Sequence, residues 1–110
     1  MERRLAAILV ADIAGFSKLT TADEEGTIAA LIRLRVEVLD PAIAEHAGRV
    51  FKTTGDGVLA AFSSAVEAVR CAVCIQEVVG AAQHASTEPL IELRIGVHVG
   101  DVVVLRVEGL

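Results

Sequence analysis

The sequence contains no tryptophan and no tyrosine, and its only aromatic residues are three phenylalanines in 110 residues. With so few large anchors, the core has to come from small and β-branched side chains held in regular elements. Eighteen alanines and sixteen valines supply much of the 54% apolar fraction. A chain of this length builds one small domain with a modest core. Basic residues are also scarce: ten Lys and Arg stand against fifteen Asp and Glu, a net charge of -5. A duplex-binding surface neutralises phosphates with clustered Lys and Arg, so this balance argues against nucleic acid as a partner. No apolar run approaches the ~20 residues that span a bilayer. Met1-Glu2-Arg3-Arg4 followed by Leu5 to Ala11 imitates a signal peptide, but the apolar run is seven residues long and ends on Asp12. The pattern reads as a cytoplasmic segment without membrane contact. The two cysteines, Cys71 and Cys74, lie within an Ala/Val helical pattern, with no second pair and no histidine at ligand spacing. They read as small buried hydrophobes in a reducing compartment rather than a zinc or redox pair.

Hydrophobic periodicity orders the chain. Arg4 to Val10 is a short, almost continuously apolar strand of the kind buried on both faces, and Gly15 breaks the run that follows Asp12. Between Thr20 and Ala47, Ile28, Leu31, Ile32, Leu39, Ala42 and Ile43 fall on one helical stripe. Thr21 and Glu24 have capping-box spacing, Pro41 should kink or split the helix, and Gly48 should end it. Val50 to Thr54 and Val58 to Phe62 flank Gly55-Asp56-Gly57, a strong hairpin signal. Ser64 to Ala82 reads as a second amphipathic helix with Ala68, Val69, Ala72, Ile75, Val79 and Ala82 inward. A loop around His84 to Pro89 leads to a strand over Leu90 to Val99, and Gly100-Asp101 reads as a turn into a further strand, Val102 to Val107. The order β-α-β-β-α-β is the split arrangement of ferredoxin-like α+β folds, here one domain over 1–110 with no repeat or linker. Many functions share that topology.

Two residues carry chemistry. Asp12 ends the first strand and Asp56 sits at the hairpin tip. In a split β-α-β sheet the first strand is central and borders the hairpin, so the two carboxylates converge. Paired hard oxygen ligands suit Mg2+ or Mn2+. Ile13-Ala14-Gly15-Phe16-Ser17 is a small-residue turn between strand and helix that can aim backbone N–H groups at an anion. Two cations and a triphosphate at one point imply two-metal nucleotidyl transfer. Taken singly, an Asp after a strand is often an Asx turn or helix cap, and the Asp of G-D-G often only a hairpin residue. The pair, with the turn between strand and helix, is what favours a metal site.

Three segments, Ala11-Asp12-Ile13-Ala14-Gly15-Phe16-Ser17, Gly48-Arg49-Val50-Phe51-Lys52-Thr53-Thr54-Gly55-Asp56-Gly57 and Leu93-Arg94-Ile95-Gly96-Val97-His98-Val99-Gly100-Asp101, resemble the class III adenylate/guanylate cyclase catalytic domain in the right order. The bacterial adenylate-cyclase type is the most similar. The resemblance implies ATP converted to 3′,5′-cyclic AMP and pyrophosphate for intracellular signalling, with two Mg2+ or Mn2+ as cofactors. It implies that Asp12 and Asp56 hold the metals with the Ile13 carbonyl, and that amides around Gly15, Phe16 and Ser17 hold the triphosphate. It assigns Lys52 to the purine-selecting position, where Lys goes with adenine and Glu with guanine. A Lys ammonium donates to adenine N1, whereas guanine N1–H needs an acceptor. Of the histidines His46, His84 and His98, none has an evident partner; His98 reads as a structural, hydrogen-bonding residue. Glu92 and Arg94 read as a solvated or interface face, and Asp101 as a turn cap.

The same resemblance implies a head-to-tail homodimer and a further segment bearing a second purine contact, an Asn and an Arg. Val102 to Leu110 contain no matching Asn. Leu105 to Leu110 resemble the stretch around the family's arginine, but the catalytic role is not transferred to Arg106. The expectation is a cyclase domain incomplete at its C-terminus, covering the N-terminal two-thirds, whose isolated chain is nearly inactive. Alternatives are a non-catalytic nucleotide-binding or dimerisation module, a guanylate cyclase, or another two-metal transferase of the same topology. A G-G-[DE]-[DE]-F signature is absent from the hairpin, which disfavours a diguanylate cyclase.

Overall fold

The computed structural model describes residues 2–85 and 91–104. In chain order these form β1 (Glu2–Ile13), α1 (Phe16–Ala22), α2 (Glu24–Leu34), a π turn (Arg35–Leu39), α3 (Asp40–Glu45), β2 (Arg49–Thr53), β3 (Gly57–Phe62), α4 (Ala65–Ala85) and β4 (Leu93–Val104). The strands make one antiparallel sheet in the order β2-β3-β1-β4, the ferredoxin-like α+β arrangement. Side chains of a strand alternate between faces. Ala7, Leu9, Ala11 and Ile13 of β1, Val58, Ala60 and Phe62 of β3 and Leu93 of β4 all point to the helix side. There they bury against Leu34, Leu39, Ala42 and Ile43 and against Ala68, Cys71, Ile75 and Val79 of α4. Among the described residues the opposite face carries no helix. On it Val10 is 39% exposed, so β1 is covered on one face by this chain and not on both, as its unbroken apolar run implied.

The helical layer departs from a simple 3.6-residue repeat. α1 and α2 are separate helices, and the cap between them is Asp23, whose carboxylate accepts from the Gly26 N–H at 3.0 Å. Thr21, at the capping-box position, instead donates its hydroxyl to the Ser17 carbonyl. The expected break in the helix takes the form of a π turn between α2 and α3, and Pro41 stands at the start of α3. Its missing N–H and bulky ring are accommodated by the π turn before it, and the Asp40 N–H donates back five residues to the Arg35 carbonyl. The wider turn brings Arg35 and Asp40 onto one face as an ion pair at 3.4 Å. It also shifts the phase of everything upstream. Leu34 and Leu39, five apart, share the core, while Ile28 and Ile32, expected in that stripe, are 44% and 57% exposed.

Two further positions differ from their sequence patterns for steric reasons. The left-handed residue ending α3 is Ala47 (φ 60), followed by a Gly48 N–H to Ile43 carbonyl bond at 2.8 Å. Gly48 is needed because a Cβ there would strike the Phe62 ring. In α4 the inward stripe uses Cys71 in place of Val69, which is 51% exposed; Ala82 is exposed too. Ser64 caps α4 by accepting from the Glu67 N–H. Both thiols are free, Cys71 buried and Cys74 partly so. β4 begins at Leu93 and runs unbroken through Gly100 and Asp101, which pair with Ala6 and Leu5, so no turn forms there. Asp101 accepts an ion pair from Arg3 at 3.4 Å rather than capping a turn. The expected loop around His84 to Pro89 falls largely outside the described residues, as does the second half of the strand expected over Val102 to Val107, whose first half continues β4. No described helix is long and apolar enough to cross a membrane.

Candidate functional site

Pairing on both sides fixes the end of β1. Asp12 lies opposite Gly57 of β3 and opposite Arg94 of β4. One residue on, the Ile13 N–H donates to the Asp56 carbonyl at 3.2 Å, and the Ala14 N–H to the Glu92 carbonyl at 2.8 Å. These bonds staple the hairpin tip and the start of β4 to the same point of β1. Because Ala11 and Ile13 face the core, Asp12 points to the helix-free side. There Arg94 donates its Nε–H to Asp12 Oδ1 at 2.9 Å. That hydrogen bond first, and then the Asp12 charge, raise the Arg94 pKa above its usual value; desolvation opposes them, and the charges of Asp56 and Glu92 add lesser upward pushes. One guanidinium therefore feels both carboxylates. Asp56 Oδ1 accepts a long 3.4 Å bond from the Thr54 hydroxyl.

Gly15, at φ 68, turns the chain from β1 into α1 in a left-handed conformation suited to glycine. The first amides of a helix have no intrahelical acceptor. Here they border a cleft of about 670 Å³ lined by Ile13, Gly15, Phe16, Ser17, Lys18, Gly55, Asp56 and Arg94. A second hollow of about 390 Å³, between β1's end and the α1–α2 pair, is mainly apolar and lined by neither aspartate of the site. A carboxylate, a guanidinium and open amides meet in the larger cleft.

The family description of the adenylate and guanylate cyclase catalytic domain matches residues 2–109. The chain belongs to this family. It is 50% identical over 105 residues to a putative adenylate cyclase 3 of Rhizobium meliloti, covering 94% of this chain and 18% of that protein. It is 35% identical over 102 residues to an adenylate cyclase of Streptomyces coelicolor, covering 93% of this chain and 25% of that protein. Among solved structures, the adenylate/guanylate cyclase/hydrolase from Silicibacter pomeroyi superposes with a TM-score of 0.81 at 44% identity, over 91% of this chain and 59% of that one. The chain thus spans a quarter or less of the length of these two curated relatives.

Within the cyclase domain, the expected site residues fall into two groups. Asp56, Ile13, Gly15, Phe16 and Ser17 line the cleft, and Asp12 joins it through Arg94. Lys52 does not line it. It lies on β2 opposite Leu59, which pairs with Val10, so it stands two strands from β1, roughly 10 Å across the sheet. Its face depends on a β-bulge. Val50 pairs with Ala60 and Lys52 with Leu59, leaving Phe51 unpaired. Were Phe51 paired with Leu59 in a regular register, Lys52 would pair with Val58 and point into the core; with Phe51 bulged out, Lys52 shares the helix-free face with Asp12.

The donor set at the cleft fits a hard divalent cation. Among the described residues no group of three or more His, Cys, Asp and Glu side chains converges as a closed metal cage. An ion held by Asp12, Asp56 and a backbone carbonyl would keep positions for water and phosphate oxygens, the habit of Mg2+ beside nucleotides. His98 is exposed on β4 and its side chain has no hydrogen bond among the described residues, contrary to the structural role expected. His46 Nδ1 contacts the Ala42 carbonyl at 2.7 Å, and the His84 side chain lies outside the description. The sequence reading missed Arg94 as a site residue. Its one available signal was position: it precedes Ile95 on a strand whose partner residue is Asp12.

Proposed function

We propose that this cyclase domain forms 3′,5′-cyclic AMP and pyrophosphate from ATP, within an intracellular signalling protein of the cytoplasm. The observation that carries the reading is the pairing of Asp12 with Gly57, which sets Asp12 beside Asp56 at the mouth of a cleft bordered by α1's open amides. Asp12, Asp56 and the Ile13 carbonyl are the groups suited to hold two Mg2+ or Mn2+. Such ions supply Lewis-acid polarisation of phosphate oxygens and lower the pKa of the attacking hydroxyl. The remaining roles fall to the chain's own groups. Amides of Gly15, Phe16 and Ser17 orient the triphosphate by donating to its oxygens. Lys52, from across the sheet, donates to adenine N1. In the reaction the ribose 3′-oxygen bonds to the α-phosphorus, its proton leaves, and the bond to the bridging oxygen breaks to release pyrophosphate.

Ile8, Val10, Leu59 and Ala61 line the helix-free face together with Gly96. Such a flat, apolar surface next to the site supports a head-to-tail homodimer with two sites at its interface. A second reading is a module that binds metal and nucleotide without turnover. Guanylate cyclase remains the nucleotide alternative, and the Lys52 ammonium disfavours it.

The test is cyclic-nucleotide formation from ATP and from GTP with Mn2+, paired with Mn2+ binding. Asp12→Ala and Asp56→Ala should each lose Mn2+ affinity and any product while keeping the native circular dichroism spectrum. Lys52→Glu should lower the ATP-to-GTP ratio. Binding without product selects the module reading; Mn2+ binding indifferent to both aspartate changes refutes the site.

A further inference from the structure

Lysine is rare here: Lys18 and Lys52 are the only two in 110 residues. Lys52 stands across the sheet, at the end where the purine reading places the base. Lys18 is exposed and lines the cleft together with Gly15, Phe16, Ser17, Asp56 and Arg94. Among the described residues Lys18, like Arg49 and Lys52, has no carboxylate partner. Arg3, Arg35, Arg70 and Arg94 each bond a carboxylate, at 2.9 to 3.4 Å. Lys18 has no ion pair or hydrogen-bond partner for its ammonium among the described residues. Arg94, the other cation of the cleft, is committed to Asp12. Lys18 is thus the one uncommitted ammonium lining a cleft that also holds Asp56.

Position along the chain says which part of a ligand that charge would meet. Asp12 and Asp56 mark the end where the α-phosphorus reacts. From Asp12 the chain leads through Gly15 and into α1, so Lys18 follows the amides of Gly15 to Ser17 in the first turn of that helix and lines the same cleft. We propose that Lys18 is a substrate-binding residue whose ammonium holds the β- and γ-phosphates, the part that leaves as pyrophosphate. This rests on the nucleotide reading given above. A lysine recognises phosphate as a flexible point charge with three donors. Such a contact acts only on ligands long enough to reach it, which gives Lys18 a role separable from that of Lys52.

The test compares ATP with AMP on the 110-residue chain with Mg2+ present, using NMR titrations that register millimolar dissociation constants. Lys18→Ala should weaken ATP binding about tenfold, equivalent to about 1.4 kcal/mol, and leave AMP binding unchanged. Lys18→Arg should restore ATP binding. Lys52→Ala should weaken ATP and AMP alike, because both carry adenine. The Lys18 effect should shrink in high salt, where the Debye length falls from ~10 Å at 0.1 M to ~3 Å at 1 M. Equal ATP affinity in Lys18→Ala and the unaltered chain, or an equal loss on ATP and AMP, overturns the assignment and leaves the nucleotide reading standing. ATP binding by the unaltered chain that is absent, or indifferent to Asp56→Ala, overturns both.

Discussion

Gly57 is where the site meets the sheet, and replacing it with alanine tests the whole construction. The residue is buried, and an alanine Cβ would fall inside contact distance of the Ala11 carbonyl oxygen. The same Cβ would lie 3.1 Å from the Ala11 carbonyl carbon and from the Asp12 Cα. All three are backbone atoms of β1, so no side chain can swing away. β1 and β3 must instead separate by roughly 1 Å at this point before the contact becomes an ordinary van der Waals one. Overpacking of this kind costs about 1–3 kcal/mol. For a domain of this size each kcal/mol lowers the melting temperature by about 4–8 °C. The displaced atoms carry Asp12, and the Ile13 to Asp56 bond lies one residue away, so the two carboxylates move apart as the strands do. A misplacement of ~1 Å at a reacting centre costs about 10²-fold in rate. Thermal melting and Mn2+ binding should therefore both suffer in Gly57→Ala. Gly55→Ala is the control, because a Cβ there meets nothing within 4 Å. If Gly57→Ala melts with Gly55→Ala and binds Mn2+ as well as the unaltered chain, the close approach of β3 to Asp12 is wrong.

Other expectations concern the scaffold. Ala47 holds φ 60, a conformation that costs an L-residue about 1 kcal/mol; Ala47→Gly should raise stability by roughly 0.5–1 kcal/mol in urea unfolding, despite glycine's freer unfolded chain. The Cys71 thiol is pushed up from 9.0 to about 11, mainly by burial, then by Cys74 and Glu67. The folded state thus keeps a proton that the unfolded chain releases, so this contribution to stability is complete below pH 9 and is lost as pH rises from about 9 to about 11. The urea midpoint should fall across that window, and by less in Cys71→Ala; equal pH profiles would refute the burial argument. The native thiol should also resist alkylation at neutral pH.

The sheet was readable in the sequence because each of its signals is local. Gly55-Asp56-Gly57 between two β-favouring runs marks the hairpin, and the split β-α-β order then makes β1 central. Convergence of Asp12 with Asp56 follows from that topology without knowledge of any side-chain contact. The helical layer was harder to read because the π turn breaks a periodicity that the pattern assumes is constant. One added residue of pitch turned Ile28 and Ile32 outward and put Leu34 in line with Leu39. Strand ends failed for a related reason. Gly100-Asp101 has turn chemistry, yet pairing with Leu5 and Ala6 carries β4 straight through it. Arg94 was invisible as a site residue because its partner sits 82 positions away in sequence and is met only across the ladder.

The bulge at Phe51 gives this architecture an unequal response to mutation. Replacing Lys52 changes the chemistry offered on the helix-free face and leaves its direction alone. Deleting Phe51 removes the bulge and leaves Lys52 next after Val50, still opposite Leu59 and on the helix-free face. A homologue that lacks the bulged residue would therefore keep the lysine on the same face, opposite Leu59. Alignments that shift a gap by one place across this strand would compare side chains on opposite sides of the sheet.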